Sequence, residues 1–269
     1  HMARSSLVVM GAFGVSKVVG LLRERAIAHQ FGASPDYDAY VAAFKVPDLL
    51  FTLIAGGALV SAFLPVFADA LARRDENEAW TIASGVTNLV FLATAVAAGL
   101  AALTAPWLMS SILAPGFAPA QQALAVDLMR VILLGTLVFA ISGIQMGILN
   151  AFQHFLTPAV APILYNLGIL AGALWLAPRM GAPGLAWGVV LGAVLHLLVK
   201  LPALLRRGFR YVPTLGLSDP GVRRVLVHRG EEQRLLVREV GVGERAAHPG
   251  PAGAVGHRGG PVAVAAEPL

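Results

Sequence analysis

Charged side chains occur inside two apolar segments near the start of the chain. The first segment contains Lys17, Arg23 and Glu24, and the second contains Lys45 and Asp48. A charge in the hydrocarbon core of a bilayer costs several kcal/mol, so such groups usually mark a pathway for a polar substrate or an ion. Cations in this position would attract an anionic substrate, and carboxylates would balance or gate them. The pattern therefore favours transport of an anion.

Helical geometry groups the charges of the first segment into two faces. Lys17 and Glu24 are seven residues apart and share one face of a helix. Ser16 and Arg23 share another face, about 100° away. Gly20 lies on the side of Lys17 and Glu24, where its lack of a side chain permits close approach of another helix. We expect these faces to line an aqueous cavity.

The second segment has a similar arrangement. Asp38 and Lys45 are seven residues apart and share a face, and Asp48 lies one turn beyond Lys45. An alternative is that these groups form buried structural ion pairs, such as Lys17 with Asp38 or Asp48. The substrate-contacting residues predicted by the functional interpretation are Lys17, Arg23, Asp38 and Lys45, and those predicted for gating or charge balance are Ser16, Gly20, Glu24 and Asp48.

The second apolar segment is too long for one straight membrane-spanning helix. About 34 residues would extend roughly 50 Å, well beyond a hydrocarbon core of about 30 Å. Proline removes a backbone donor and kinks a helix, and a glycine pair loosens one. The sequence therefore predicts a bent or broken helix that can change curvature, with a static kink as the alternative. The predicted hinge residues are Pro47, Gly56, Gly57 and Pro65.

Composition identifies the main solvent of the chain as lipid. The 269 residues are 57% hydrophobic and 13% charged, with a mean hydropathy of +0.73, whereas about 25% of the residues of a soluble domain are charged. This argues against a soluble enzyme and against intrinsic disorder. Because cysteine is absent, thiolate metal sites and cysteine nucleophiles are excluded. We expect no metal, no cofactor and no catalytic residue. The net charge of +5 indicates cytoplasmic loops rather than nucleic-acid binding.

The apolar runs predict the fold class. Each run is close to or above the roughly 20 residues that cross a bilayer, and proline, glycine or charged residues separate the runs. We predict an all-α integral membrane protein, a polytopic bundle of about six transmembrane helices within residues 5–210. The predicted spans are 5–31, 37–70, 80–113, 121–150, 158–178 and 184–205.

Loop charges predict the orientation of the bundle. Arg4, the Arg73–Arg74 pair and the Arg206–Arg210 cluster fall in loops on one side, while the other loops carry few cations. The positive-inside rule places the basic side, and with it the N-terminus, in the cytoplasm. An even number of spans returns the chain to the same side. Residues 1–4 are then a cytoplasmic leader with a possible cloning scar, and 211–227 a cytoplasmic connector.

Composition changes abruptly near residue 228. Residues 228–269 are rich in glycine, alanine and proline and contain no apolar run that could cross a bilayer. Such a segment cannot bury enough apolar surface to offset its ordering entropy, so we expect it to be disordered. Two origins are open: a shifted reading frame or a natural flexible tail.

Small residues four apart indicate where helices pack closely. Such pairs occur in the fourth, fifth and sixth spans: Gly143 and Gly147, Gly168 and Gly172, and Gly188 and Gly192. Small residues at this spacing let helix backbones approach each other. We expect packing within one chain, with homodimerisation as the alternative. The isolated Asn150, Asn166 and His196 are predicted to form hydrogen bonds between helices.

Several motifs, in order, resemble the MurJ/MviN family of lipid II flippases in the multidrug/oligosaccharidyl-lipid/polysaccharide exporter superfamily. Residues 16–24 (SKVVGLLRE) are similar to the family's first-helix signature, and residues 38–47 (DAYVAAFKVP) are similar to its second-helix signature. The remaining similar stretches are 56–58, 61–66, 114–117, 147–150 and 158–162 together with Asn166. The resemblance extends over about residues 5–227.

The resemblance implies a two-lobe exporter, of which this chain would supply the N-terminal lobe. The family's activity would be alternating-access movement of undecaprenyl-pyrophosphate-linked disaccharide-pentapeptide across the bacterial plasma membrane. By position, Arg23 corresponds to a cavity arginine of the family and Asp38 to an acidic position. Lys17 stands where many members have arginine, and Asp48 replaces a common asparagine. The implied chain is truncated and would not flip lipid without a second lobe.

Other functions remain open from the sequence. One is export of O-antigen, polysaccharide or drugs by the same superfamily, and another is a non-transporting scaffold. A membrane-embedded enzyme is a third, because Asp36 and Asp38 could hold a divalent cation. The expected partners of the flippase interpretation are a lipid-linked pyrophosphate substrate, membrane lipids, and a separately encoded C-terminal lobe or wall-synthesis proteins.

Overall fold

The fold comes from a computed structural model of the chain. It describes the backbone of residues 2–55, 58–215 and 220–225, and the side chains of 10–53, 62–215 and 220–225. Contacts divide the chain into two units, His1–Arg229 and Gly230–Leu269. The segment 228–269, with its predicted disorder, lies outside the described residues, so that prediction is untested.

Helices account for most of the described backbone, and these residues contain no strand. Three five-residue π-helical segments interrupt or extend the α-helices: Phe51–Ala55, Met109–Leu113 and Gly172–Leu176. The α-helices in chain order are α1 Met2–Phe31, α2 Pro35–Leu50, α3 Ala58–Ala72, α4 Glu76–Leu108, α5 Pro119–Ala151, α6 Leu156–Ala171, α7 Ala177–Met180, α8 Ala182–Leu198 and α9 Leu201–Leu205.

The helices make the chain a polytopic α-helical membrane protein, as the sequence predicts. Each of the six predicted spans coincides with one helix or a series of helical segments. Within the described residues, four stretches are long and apolar enough to cross a membrane by length and composition. These stretches are Glu76–Leu113, Pro119–Ala151, Leu156–Met180 and Ala182–Leu205.

The second predicted span is divided in the structure. Helix α2 contains the buried Pro47 and ends at Leu50, and the π-helical segment Phe51–Ala55 follows directly. The Thr52 hydroxyl donates to the Asp48 carbonyl oxygen at 2.9 Å. Helix α3 continues the span and contains Pro65. Gly56 and Gly57 lie outside the described residues, so the hinge remains a prediction.

Local capping sets the start of two helices. Ser34 has an extended backbone and precedes Pro35, and its hydroxyl accepts a hydrogen bond from the Tyr37 N–H at 3.3 Å. At the start of α4, the Asp75 carboxylate accepts from the Glu78 N–H at 2.9 Å. Side-chain acceptors of this kind satisfy N–H groups that the first helical turn leaves without partners.

Removing the second cap is expected to destabilise α4. We expect Asp75→Ala to lower the free energy of unfolding by about 1 kcal/mol, because the Glu78 N–H loses its acceptor. Asp75→Asn keeps an acceptor and should cost less. Thermal unfolding in detergent would compare both variants with Asp127→Ala, an exposed carboxylate inside α5. Equal losses for the alanine and asparagine variants at position 75 would contradict the capping role.

Glycines bring α6 and α8 into backbone contact. A Cβ atom on Gly168 would overlap the Gly192 Cα, and one on Gly172 would lie 2.5 Å from the Gly188 Cα. The two small-residue motifs of the fifth and sixth spans therefore face each other within one chain, as predicted. The same bundle packs α1 on α6, and α2, α4 and α8 on α5.

Two apolar cores hold the bundle together. The first is formed by α2, α5 and α8 with the C-terminal part of α4, around buried residues such as Ala43, Met129 and Leu185. The second joins α3 to the N-terminal part of α4 through Phe63, Phe67 and its neighbours.

Part of the predicted connector packs on α4. The Tyr211 hydroxyl donates to Asn88 Oδ1 at 3.0 Å, and the Asn88 amide donates to the Thr214 carbonyl at 2.7 Å. In the helical segment 220–225, Val222 and Val225 are buried in the second core. Specific side-chain contacts thus tie this segment to the bundle.

Candidate functional site

A polar cavity of about 310 Å³ lies between α1, α2 and α6. It combines two basic and two acidic side chains with three tyrosines. The residues that line it are Arg23, Glu24, Ile27, Tyr37, Tyr40, Val41, Phe44, Lys45, Asp48, Tyr165 and Ile169. Four predicted site residues, Arg23, Glu24, Lys45 and Asp48, are therefore brought together.

Arg23 is the most constrained charge in this cavity. Its Nη1 donates to the Asn166 Oδ1 at 2.8 Å, and its Nη2 contacts the Glu24 carboxylate. Asn166 is itself held, because its amide donates to the Pro162 carbonyl at 3.1 Å. The buried Nε of Arg23 has no hydrogen-bond partner among the described residues. The guanidinium thus keeps one donor without an acceptor.

The helices explain this position of Arg23. Helix α1 packs along α6, and Gly20 faces Asn166, whose Nδ2 would lie 3.9 Å from a Cβ at position 20. The prediction that Asn166 forms a hydrogen bond between helices is confirmed by its bond to Arg23.

Lys45 and Asp48 approach the cavity from α2, and both are exposed. Neither side chain forms an ion pair with another described residue. The cavity therefore has an ammonium and a carboxylate available for a ligand, in addition to Arg23. An anion with several oxygens could be bound by the two cations and released again without any covalent step.

Other predicted site residues lie elsewhere. Lys17 and Asp38 are exposed, and neither lines a described cavity or forms an ion pair within the described residues. Ser16 is half-buried on α1 and is also absent from the cavity lining. Their roles in binding or gating remain predictions, and the alternative ion pairs of Lys17 are not formed here.

An apolar cavity of about 290 Å³ adjoins the polar one. Phe44, Asp48 and Tyr165 line both cavities. We call this apolar cavity the aromatic chamber. Its other lining residues are Pro47, Phe51, Ile132, Gly135, Thr136, Phe139, Pro162, Val189 and His196. The lobe therefore offers a charged compartment next to an apolar one.

A buried polar cluster stands behind the aromatic chamber. The amine of Lys200 is completely buried and donates to the Ser142 carbonyl at 2.7 Å and to its hydroxyl at 2.6 Å. The Ser142 Oγ lies 2.7 Å from His196 Nδ1, and Lys200 Nζ lies 3.4 Å from the same nitrogen. The prediction that His196 bonds between helices is confirmed, since Ser142 is on α5 and His196 on α8.

Sequence reasoning missed the aromatic residues of the site and Lys200. Tyr40 and Tyr165 line the polar cavity, but tyrosine in an apolar helix carries no distinctive signal. Lys200 follows an apolar run and resembles a residue at a membrane boundary. Its spacing of four residues from His196 is the signal that could have indicated a shared helix face.

Comparison with known proteins decides the family. The sequence profile described as "Lipid II flippase MurJ" matches residues 27–229. The chain belongs to this family. The MurJ match covers the polar cavity from Ile27 onward, all of the aromatic chamber and the buried cluster.

Individual relatives agree with the MurJ assignment. The chain is 34% identical over 236 residues to a protein of Burkholderia cenocepacia named lipid II flippase MurJ, covering 84% of this chain and 45% of the relative. It is 30% identical to a probable lipid II flippase MurJ of Vibrio cholerae, with the same coverage. The chain thus spans less than half the length of these relatives, which are named as transporters and not as enzymes.

Solved structures show the same fold. A structure titled lipid II flippase MurJ in an inward closed conformation superimposes with a TM-score of 0.68 at 23% identity, covering 83% of this chain and 47% of the other. An outward-facing MATE family multidrug transporter of the MOP superfamily superimposes with a TM-score of 0.61 at 19% identity, covering 84% and 49%. The fold of this chain therefore matches about half of each of these structures.

Proposed function

We propose that this chain binds the pyrophosphate headgroup of lipid II and takes part in moving it across the bacterial plasma membrane. The observation that supports this most directly is that the Arg23 guanidinium and the Lys45 ammonium line one polar cavity. Guanidinium and ammonium groups together suit an anion with several oxygens. The MurJ relatives are named for this lipid.

Orientation and partners belong to the same proposal. The positive-inside rule favours a multi-pass arrangement with the N-terminus in the cytoplasm. A cavity on one lobe needs an opposing wall for alternating access. We propose that a second lobe, or a second copy of the chain, supplies this wall, and that membrane lipids and wall-synthesis proteins are its other partners. Export of another lipid-linked polysaccharide is the second candidate, because Arg23 and Lys45 would bind any pyrophosphate lipid.

Neutralising Arg23 tests the headgroup site. We expect Arg23→Gln to weaken binding of undecaprenyl pyrophosphate by about tenfold, because hydrogen bonds to charged groups contribute about 1.5–3 kcal/mol. The measurement is the dissociation constant for the purified chain in nanodiscs of neutral lipid. Arg25→Gln is the matched control, because Arg25 is exposed on the same helix and does not line the cavity.

Two results decide the proposal. A tenfold loss at position 23 with less than a twofold change at position 25 supports a specific site. Equal losses of affinity for both variants would show that binding depends only on the total charge of α1. The proposed headgroup site would then be rejected.

A further inference from the structure

We infer that the aromatic chamber is a subsite for one sugar ring of the substrate, next to the pyrophosphate at Arg23 and Lys45. The inference rests on the proposed function, because it concerns the part of the headgroup that follows the pyrophosphate.

The first argument is the connection between the two cavities. Phe44, Asp48 and Tyr165 line both of them, so the chamber opens directly beside the charged compartment. A ligand whose phosphate groups lie at Arg23 and Lys45 would place its neighbouring group at this shared boundary. In a glycosylated pyrophosphate lipid the neighbouring group on one side is a sugar and on the other a prenyl chain. The chamber must therefore suit one of these two.

The second argument is the shape of the aromatic walls. The Phe139 ring lies 5.5 Å from the Phe51 ring at 67° and 5.0 Å from the Tyr165 ring at 77°. Rings held edge to face present flat apolar surfaces in different directions. The C–H face of a pyranose packs against such a surface. A prenyl chain would also fit these walls, so the choice between them depends on the polar groups of the chamber.

The third argument is the set of polar groups in the chamber. Thr136 and His196 are 5% and 6% exposed, and Asp48 lies at the boundary with the charged compartment. Both residues line the chamber. An apolar ligand that covered the Thr136 hydroxyl and the His196 ring would bury polar atoms without giving them partners, which is costly. A prenyl chain would leave all three unpaired, whereas sugar hydroxyls both donate and accept.

The buried cluster fixes what His196 can offer. The Ser142 Oγ accepts from the Lys200 amine at 2.6 Å and lies 2.7 Å from His196 Nδ1. This contact engages Nδ1 and leaves Nε2 as the ring nitrogen for a ligand. His196 and Asp48 are therefore the polar partners that the chamber offers to sugar hydroxyls, which both donate and accept. Ser142 and Lys200 act as positioning residues for His196.

The size of the chamber limits the ligand to a single ring. Its volume of about 290 Å³ is at the small end of ligand cavities, which range from roughly 300 to 1,000 Å³. A space of this size suits one sugar ring. The second sugar and the peptide of a larger headgroup would lie outside the chamber.

Two lipids that differ by one sugar test the inference. The probes are undecaprenyl pyrophosphate and undecaprenyl-pyrophosphoryl-N-acetylglucosamine, measured on the purified chain in nanodiscs. We expect Phe139→Leu to weaken binding of the glycosylated lipid about fivefold, through loss of the flat ring, with less than a twofold effect on the sugar-free lipid. Thr136→Val, which keeps the shape, should give a similar selective loss through one hydrogen bond.

Matched controls separate the sugar site from general damage. Phe91→Leu and Thr104→Val make the same changes at exposed positions of α4, outside both cavities. If Phe139→Leu does not fold, the isosteric Thr136→Val variant still decides the result.

The outcomes separate the two proposals. Equal weakening of both lipids would place a part common to both in the chamber and overturn the sugar site. The sugar site would also be rejected if the unmodified chain bound both lipids equally and no chamber variant changed the ratio. If the unmodified chain bound neither lipid, the proposed headgroup function would fail, and the sugar site would fail with it.

Discussion

Replacing Gly168 by alanine is expected to abolish stable packing of α6 against α8. The added Cβ would overlap the backbone of Gly192, and a second glycine pair one turn away, Gly172 and Gly188, is as close. Backbone atoms cannot rotate away as side chains do, so the helices must separate. Overpacking in rigid interiors costs about 3 kcal/mol, and we expect a loss of this size in the free energy of unfolding.

The separation would spread beyond the two helices. Helix α1 packs on α6, and Arg23 on α1 is held by Asn166 on α6. Movement of α6 away from α8 therefore removes one wall of the polar cavity and also changes the aromatic chamber, which includes Val189. Binding of pyrophosphate lipid should fall together with stability. Thermal unfolding and the monodisperse fraction in detergent are the measurements.

A matched glycine provides the control for this variant. Gly99 lies inside α4, and a Cβ there would meet no atom within 4 Å. We expect Gly99→Ala to leave stability unchanged or to raise it by up to about 1 kcal/mol, because alanine is the better helix former. If Gly168→Ala were as stable as Gly99→Ala, the backbone contact between α6 and α8 would be disproved.

The sequence predicted the helical bundle because the signal for a membrane span is simple. Apolar runs such as 121–150 and 184–205 are long enough to cross a bilayer, and the helices α5 and α8 begin within two residues of them. The π-helical segments, by contrast, were not predicted. They depend on how a helix end accommodates its neighbours, which hydropathy does not record.

The candidate site was predicted only in part. Residue spacing shows which side chains share a face of one helix, but it does not show which faces of different helices meet. Asp38 and Lys45 share a face of α2 and lie about 10 Å apart along its axis. The cavity extends along this stretch of α2 and is lined by Tyr37 and Lys45, but Asp38 is exposed and does not line it. On α1, Arg23 and Glu24 line the cavity, whereas Lys17, on the face of Glu24 but seven residues earlier, does not.

The buried cluster leads to the second large effect, an unequal response of Ser142 and Lys200 to mutation. We expect Ser142→Ala to lower the free energy of unfolding by about 3 kcal/mol, because the buried Lys200 amine loses its 2.6 Å hydroxyl acceptor. His196 Nδ1 loses its 2.7 Å partner as well. Both polar groups stay buried between α5 and α8, where water cannot replace the serine.

Lys200→Met should be far milder, although it removes the larger group and the charge. Methionine fills the space with an unbranched apolar chain. The Ser142 hydroxyl and His196 Nδ1 remain hydrogen-bonded to each other, so every remaining polar group of the cluster keeps a partner. Replacing a buried polar group by an apolar one of similar shape is often nearly neutral. We therefore expect a loss below about 1 kcal/mol.

The double variant Ser142→Ala/Lys200→Met completes the cycle. It removes the amine that the alanine leaves with the backbone carbonyl of residue 142 but without the hydroxyl acceptor, so we expect it to be more stable than Ser142→Ala alone by about 2 kcal/mol. Ser110→Ala, at an exposed serine of the segment after α4, should change little. Equilibrium unfolding of the five proteins in one detergent gives all four differences from the unmodified chain. If Lys200→Met were as unstable as Ser142→Ala, the Lys200 amine would itself stabilise the fold, and the explanation by lost hydrogen-bond acceptors would be rejected.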